Sequence, residues 1–483
     1  MDQTQTPYAD ALRTYVSQNN ERLNTPGHQV SKLGSKKLTD YFGSDLLDLD
    51  IQPQVDGIDY GPSPTPLEQS LSLAAQAWGA HRTWFLTNGA SMGNLIACLA
   101  VANLGKSIVV QRSVHSSVID GLAISGLNAD FISPSIWPEL GIANGITPKQ
   151  LASALTEASD CVAAYIVSPS YFGAVADIAG LAEVAHSFGV PLIVDEAWGA
   201  HFGFSSVVPQ NAIRLGADIV ISSTHKLGGS LTQSAMLHLG ATELTQTLEP
   251  LLERAYKSME STSVSSLLLA SLDLARSSLA TTGEVGISNS HNALMELRDL
   301  IRSSGRFQDI YPQLLQFDDV VATEPLRISL NTLHGGISGL EARSLLRINS
   351  GVHCEMATST TVVMLIGAGS VPNVTRIAAA LEALPERDNQ NVKVIPLPMP
   401  GRSHISVRDA NFGQTEIVNA RSAIGRISAD SVAAYPPGIP NLLPGEEITA
   451  ETLDFLNETR SLPFGHVRGG FTSDLSKLRV VKN

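Results

Sequence analysis

Two segments place chemically capable side chains where strands are expected to end. In Leu192-Ile193-Val194-Asp195-Glu196-Ala197-Trp198 an apolar run stops at a carboxylate. In Ser222-Ser223-Thr224-His225-Lys226-Leu227-Gly228-Gly229 a strand-like run gives way to hydroxyl residues, then a lysine, then glycines. Ligand crevices of open α/β sheets lie at the carboxyl ends of the strands. Desolvation there lowers the proton affinity of a lysine and permits Schiff-base chemistry. Singly, each residue has a plainer reading: a solvated lysine, or an aspartate that caps a helix. One strand–helix–strand step separates Asp195 from Lys226, so both are expected at one sheet edge. A carboxylate for a ring nitrogen and a lysine for an aldehyde form the pairing that pyridoxal 5'-phosphate requires.

Two weaker signals accompany the pair. Thr87-Asn88-Gly89-Ala90-Ser91-Met92-Gly93-Asn94 is a Gly/Ser turn leading into an apolar helix, Leu95–Val101. The start of such a helix offers N–H groups to a phosphate, although such turns often only cap helices. Val114-His115-Ser116-Ser117 follows a short strand at Ile108–Val110. His115 could stack on an aromatic cofactor or simply be structural.

The elements that must carry these residues are legible in outline. A helix is expected around Tyr8–Asn19, and another over Leu67–Trp78, with Pro66 before it and Gly79 after it. Apolar strands at Ile108–Val110, Cys161–Val167, Pro191–Val194 and Asp218–Ser222 alternate with helical patterns such as Ile178–Phe188. That alternation implies an α/β fold with a mostly parallel sheet covered on both faces. Ser258–Ala280 reads as a long helical region leading into a smaller α+β domain, with strands at Leu326–Asn331, Thr361–Ile366 and Val392–Ile395. The division expected is an N-terminal arm at 1–45, a cofactor-binding major domain at 46–290 and a C-terminal small domain at 291–483. Tyr435–Pro440 is too rich in proline for a helix or a central strand.

Composition narrows the classes. The chain has 483 residues, is 43% hydrophobic and carries a net charge of −14. It can bury a large core, and its charge is opposite to that of a general nucleic-acid binder. Cys98, Cys161 and Cys354 are odd in number and widely spaced, which suggests neither a disulfide framework nor a metal site. The polar start lacks a secretory pattern, and no apolar stretch approaches the roughly 20 residues of a membrane helix. A cytoplasmic protein that binds neither nucleic acid nor membrane is expected.

The motifs together resemble a known family, the group III pyridoxal-phosphate decarboxylases of ornithine, lysine and arginine, which share the aspartate-aminotransferase fold (fold type I). The matching blocks run in order: Thr25-Pro26-Gly27-His28; Thr87–Asn94; His115-Ser116-Ser117; Ser168-Pro169-Ser170-Tyr171-Phe172-Gly173; Asp195–His201; Ser222–Lys226; Leu231-Thr232-Gln233-Ser234; and Tyr435–Pro440 with Pro444-Gly445-Glu446. They span nearly the whole chain. Ordinary aminotransferases lack the Tyr-Pro-Pro-Gly-Ile-Pro block. Two departures stand out. Gln29-Val30 replaces the usual basic residue and glycine, and Pro26-Gly27-His28 comes so early that no N-terminal wing domain is expected.

The resemblance implies roles. Lys226 would bind the cofactor covalently, and Asp195 would pair with its ring nitrogen. His115 and Ala197 would pack on the two ring faces. Ala90, Ser91, Ser223 and His225 would hold the phosphate, and Trp198 would lie near the cofactor. The catalytic residues expected are thus Lys226, His225 and His115, with His225 or Lys226 returning the proton to Cα. The substrate would be a basic amino acid, either arginine, lysine or ornithine. Glu355, Asp56 and Glu446 are candidates for its cationic head. The product would feed polyamine synthesis, and the site would lie between the subunits of a homodimer or larger oligomer. The alternatives are another pyridoxal-phosphate enzyme, such as an aminotransferase or aldolase, and a catalytically inactive regulator on the same fold. An aminotransferase would use an arginine such as Arg327, Arg343 or Arg408 to clamp a carboxylate.

Overall fold

The computed structural model describes residues 1–18, 20–30, 35–386, 394–435 and 438–482. At its centre, seven strands form one sheet: β1 (Arg82–Leu86), β2 (Ser107–Gln111), β3 (Asn128–Ile132), β4 (Cys161–Val167), β5 (Leu192–Asp195), β6 (Ile219–Ser222) and β7 (Ala235–Leu239). Their spatial order is β1-β7-β6-β5-β4-β2-β3. Only β7 runs against its neighbours; the other pairings are parallel. Every residue of β5 and β6 is buried, as continuous apolar strands between two helical layers require.

Helix Pro66–Trp78 shows how local chemistry sets a boundary. Thr65 Oγ1 accepts the backbone N–H of Glu68, and the Glu68 carboxylate accepts the backbone N–H of Thr65 at 2.7 Å. This capping box, with Pro66 in the first turn, fixes the start. Pro66 announces this boundary in the sequence, and Thr65 and Glu68 set it.

The expected helical region at Ser258–Ala280 divides differently. One helix, Thr245–Met259, ends before it, and a second spans Ser266–Ser304, capped by Ser265. Thr281-Thr282-Gly283 resembles a stop, yet the helix continues because Ile287, Leu294, Leu297 and Ile301 bury its far half. Its near half is clamped to the N-terminal helix Pro7–Ser17. Asp273 accepts the backbone N–H groups of Tyr8 and Ala9, and Arg276 donates to the carbonyls of Gln3 and Gln5.

Beyond this helix, Gln308–Asp309, Arg327–Asn331, Thr361–Leu365 and Met356–Ala357 form a second, antiparallel sheet in that order. A C-terminal group follows, with a strand pair at Thr415–Asn419 and Lys477–Val481. It also contains a small sheet in the order Pro440–Leu442, Val432–Ala434, Val467–Arg468. Pro440 opens an edge strand there, where a missing N–H costs little. Pro436 and Pro437 lie outside the described residues. So do residues 392 and 393 of the strand expected at Val392–Ile395, while Val394 and Ile395 belong to no strand. No helix among the described residues is long and apolar enough to cross a membrane.

Candidate active site

The carboxyl edge of the sheet gathers the predicted residues. Asp195 is the last residue of β5 and pairs with Ile221 of β6, the strand that leads to Lys226. Lys226 lies in the single-turn helix Thr224–Leu227. His115 caps helix Ser116–Ser125 after β2, and Ala90 and Ser91 sit in the first turn of helix Gly89–Val101 after β1. Asn88 places no side chain over that turn, so its N–H groups have no side-chain cap. The pairing of Leu86 with Ala235 brings this helix start beside the segment preceding β7. From that segment Ser234 supplies the carbonyl that accepts the backbone N–H and the Nδ1–H of His225, the latter at 2.9 Å. Ala90 and Ser223 are buried, whereas Ser91 is exposed.

Asp195 is 2% exposed. One oxygen accepts the backbone N–H of Ala197 and the other accepts Asn94 Nδ2, both at 3.0 Å. Asn94, the last residue of the Gly/Ser turn segment, is a hub. Its Nδ2 also donates to Ser117 Oγ at 2.9 Å, and its Oδ1 accepts the Tyr165 hydroxyl at 2.8 Å. Ser117 Oγ in turn lies 2.8 Å from His115 Nδ1, which also accepts the Ser117 backbone N–H. With its amide reversed, Asn94 would set oxygen against carboxylate. The signal available for it is a polar side chain set directly before the apolar run Leu95–Val101.

Burial pushes the proton affinity of His115 down, so its imidazole is neutral near pH 7. Its Nδ1 is occupied as an acceptor, which leaves the proton on Nε2. Burial likewise lowers Lys226, partly offset by Asp195 and reinforced by Arg327, to about 8. The Lys226 amine rests 3.6 Å from the centre of the Trp198 indole, and the Arg327 guanidinium lies 4.8 Å from the same centre. Ala197 and Trp198 are both buried.

The three acids proposed for a cationic head separate. Glu446 is spent: it holds Arg112 at 3.0 and 2.9 Å and accepts the Leu443 N–H. Asp56 is exposed in the turn closed by Tyr60. Glu355 is exposed as well, but its charge acts on Lys226, His225 and Arg327. Among the three arginines, Arg343 bonds the carbonyls of Cys354 and Glu355, and Arg408 those of Ala123 and Ile124. Arg327 alone of the three acts on Lys226.

The donor set suits pyridoxal phosphate: a partly buried lysine amine, a buried carboxylate one strand away, a neutral imidazole and an uncapped helix start. Among the described residues no group of three or more His, Cys, Asp or Glu side chains could hold a metal ion.

This lysine-bearing edge on a mostly parallel sheet belongs to the fold type I class of α/β enzymes. Residues 6–326 match the Orn/Lys/Arg decarboxylase major domain, and residues 400–479 match the C-terminal domain of that family. The chain is therefore a member of the Orn/Lys/Arg decarboxylase family, and the protein is a decarboxylase. It is 32% identical to the arginine decarboxylase of Bacillus subtilis (strain 168), over 100% of this chain and 99% of that protein. It is 23% identical to the constitutive lysine decarboxylase of Escherichia coli (strain K12), over 98% of this chain and 80% of that protein. The solved lysine decarboxylase of Francisella novicida superposes with a TM-score of 0.81 at 19% identity, covering 98% of this chain and 80% of that one. Serine palmitoyltransferase of Sphingomonas wittichii superposes over 72% of this chain and 81% of that one, with a TM-score of 0.51 at 14% identity.

Proposed function

We propose that the protein decarboxylates a basic amino acid, arginine or lysine with ornithine as the third candidate, and thereby supplies a polyamine precursor. The carrying observation is Lys226 beside Asp195 at the carboxyl edge of the sheet. Pyridoxal phosphate, when bound, supplies an electron sink for the bond being broken at Cα.

The chain's own residues do the rest. Lys226, with its proton affinity near 8, offers an appreciable share of free amine near neutral pH. Asp195, fixed by Asn94 and Ala197, would pair its carboxylate with the ring nitrogen. His115, as a neutral imidazole, and Ala197 would hold the cofactor's ring. Ala90, Ser91, Ser223 and His225 would hold the phosphate, beside the uncapped start of helix Gly89–Val101. His225 commits its Nδ1 proton to Ser234, so we assign the return of the proton at Cα to Lys226 Nζ. Trp198 covers the lysine and limits water. Glu355 receives the cationic head of the substrate. The working unit is at least a homodimer with the site between subunits.

Arg327 gives the aminotransferase reading one specific foothold, since it is buried and near Lys226. Its Nη1, however, is engaged by the carbonyls of Ser170 and Tyr171. The deciding experiment measures CO2 release from arginine, lysine and ornithine in parallel, with pyridoxal phosphate and with Lys226→Ala as control. Release from one substrate that disappears in the variant supports the proposal. No release from any of them, with keto acid appearing instead, overturns it.

A further inference from the structure

Behind Trp198 lies a cluster of ionisable side chains that the proposed chemistry does not use. His201, from the loop after β5, and Glu324 are both fully buried, and Arg327 is 2% exposed. His201 Nε2 and Glu324 Oε1 are 3.1 Å apart, and the same oxygen accepts the Leu326 N–H at 2.8 Å. The other Glu324 oxygen lies 3.6 Å from Arg327 Nε. Charged groups this deep are costly unless paired.

The cluster interlocks two sheets. Arg327 Nη1 donates to the carbonyls of Ser170 and Tyr171 at 2.8 and 2.6 Å. Ser329 Oγ donates to the Phe172 carbonyl, and the Glu324 N–H donates to the Gly173 carbonyl. The second sheet and the residues leading into it thus engage four successive carbonyls of the loop after β4. Gly173 permits the approach: its φ is +100°, and a Cβ there would sit 3.4 Å from Arg327 Cδ. Arg327 Nη2 has no partner among the described residues.

We propose that His201, Glu324 and Arg327 form a positioning brace through which the second sheet acts on Lys226. His201 anchors Glu324, Glu324 anchors Arg327, and Arg327 stations its charge on the Trp198 indole that also receives Lys226. The inference rests on reading Lys226 as the reactive lysine and adds to it the residues that govern its protonation. Among the described residues, five charged or titratable groups act on Lys226: Asp195 and Glu355 favour its cation, Arg327 opposes it, and His115 and His225 oppose it when protonated. Among them only Arg327 comes from a buried, counter-charged brace.

The test titrates Lys226 directly in the cofactor-free full-length protein. Its amine is followed by NMR after reductive ¹³C-methylation, and the resonance is assigned by its loss in Lys226→Arg. Arg327→Met should raise the midpoint by roughly one pH unit. Glu324→Gln, which leaves the arginine uncompensated, should lower it. The double variant should return towards wild type. His201→Leu should shift it in the Glu324→Gln direction, and His201→Gln should restore it. Should Arg327→Met fail to fold, Arg327→Lys keeps the charge and should stay within about half a unit of wild type. An unmoved midpoint in Arg327→Met, a full unit's displacement in Arg327→Lys, or shifts of the same sign in Arg327→Met and Glu324→Gln would overturn the brace. CO2 release by wild type is read separately, so failure of the brace and failure of the decarboxylase reading give different results.

Discussion

Arg112 and Glu446 meet through two hydrogen bonds, at 3.0 and 2.9 Å, across 334 residues of chain. Both are buried, and a third bond joins Arg112 to the Pro440 carbonyl at 2.7 Å. The bridge therefore pins the edge strand at Pro440 and the Pro444-Gly445-Glu446 turn to the end of β2. Glu446→Gln leaves the guanidinium buried without its counter-charge. It should cost about 3–5 kcal/mol, read as a lower urea midpoint.

Asn94 satisfies Asp195, Ser117 and Tyr165 at once. Asn94→Ala strands a buried hydroxyl and a carboxylate oxygen. A loss of about 2–4 kcal/mol is expected, together with faster loss of pyridoxal phosphate on dialysis. Unchanged retention of the cofactor would separate Asn94 from the Asp195 role.

Glu355 is exposed yet acts on the charges around Lys226. Glu355→Gln should raise KM for the preferred substrate about tenfold or more, with a smaller change in kcat. Steady-state kinetics on arginine, lysine and ornithine would read the split.

His238 is fully buried in β7, between Thr83 Oγ1 at 2.9 Å and Ser222 Oγ at 3.2 Å. Burial pushes its pKa from 6.5 to about 3. On acidification the unfolded chain therefore takes up the proton first. The neutral ring costs no stability above about pH 6.5, and stability falls as pH drops from there towards 3, by up to about 1.4 kcal/mol per pH unit. Urea denaturation at about pH 7 and about pH 5 should show this slope, and His238→Gln should flatten it.

The sequence exposes this fold where one physical signal dominates. Apolar runs ending at Asp195 and Ser222 marked β5 and β6, because strands buried on both faces have no polar alternation to blur them. The first, third and seventh strands give no such run. β3, Asn128–Ile132, is a sheet edge with no fully buried residue. β7 contains the polar His238, whose partners come from other strands. Placement at a strand end is legible: Lys226, Asp195 and His115 lie at the carboxyl edge of the sheet, where the apolar runs before them put them. Asn94, His201 and Glu324 are not legible, because the bonds that join Asn94 to Tyr165 and Asp195, and His201 to Glu324, reach across 71, 101 and 123 residues; Arg327 enters only as a carboxylate clamp, since its carbonyl partners Ser170 and Tyr171 lie 157 and 156 residues away. Glu446 was misread for the same reason, since nothing near it announces Arg112.

The 39-residue helix Ser266–Ser304 carries a mechanical consequence. At about 1.5 Å per residue it is roughly 58 Å long. It is clamped at its root by Asp273 and Arg276 and buried against the second sheet along its far half. The second sheet is thus mounted on a girder rather than a tether. Any opening of the cleft above Lys226 must turn this beam about its root or bend it, and either motion loads the N-terminal helix. Shaving residues from that end of the chain would then loosen a site that none of them touches.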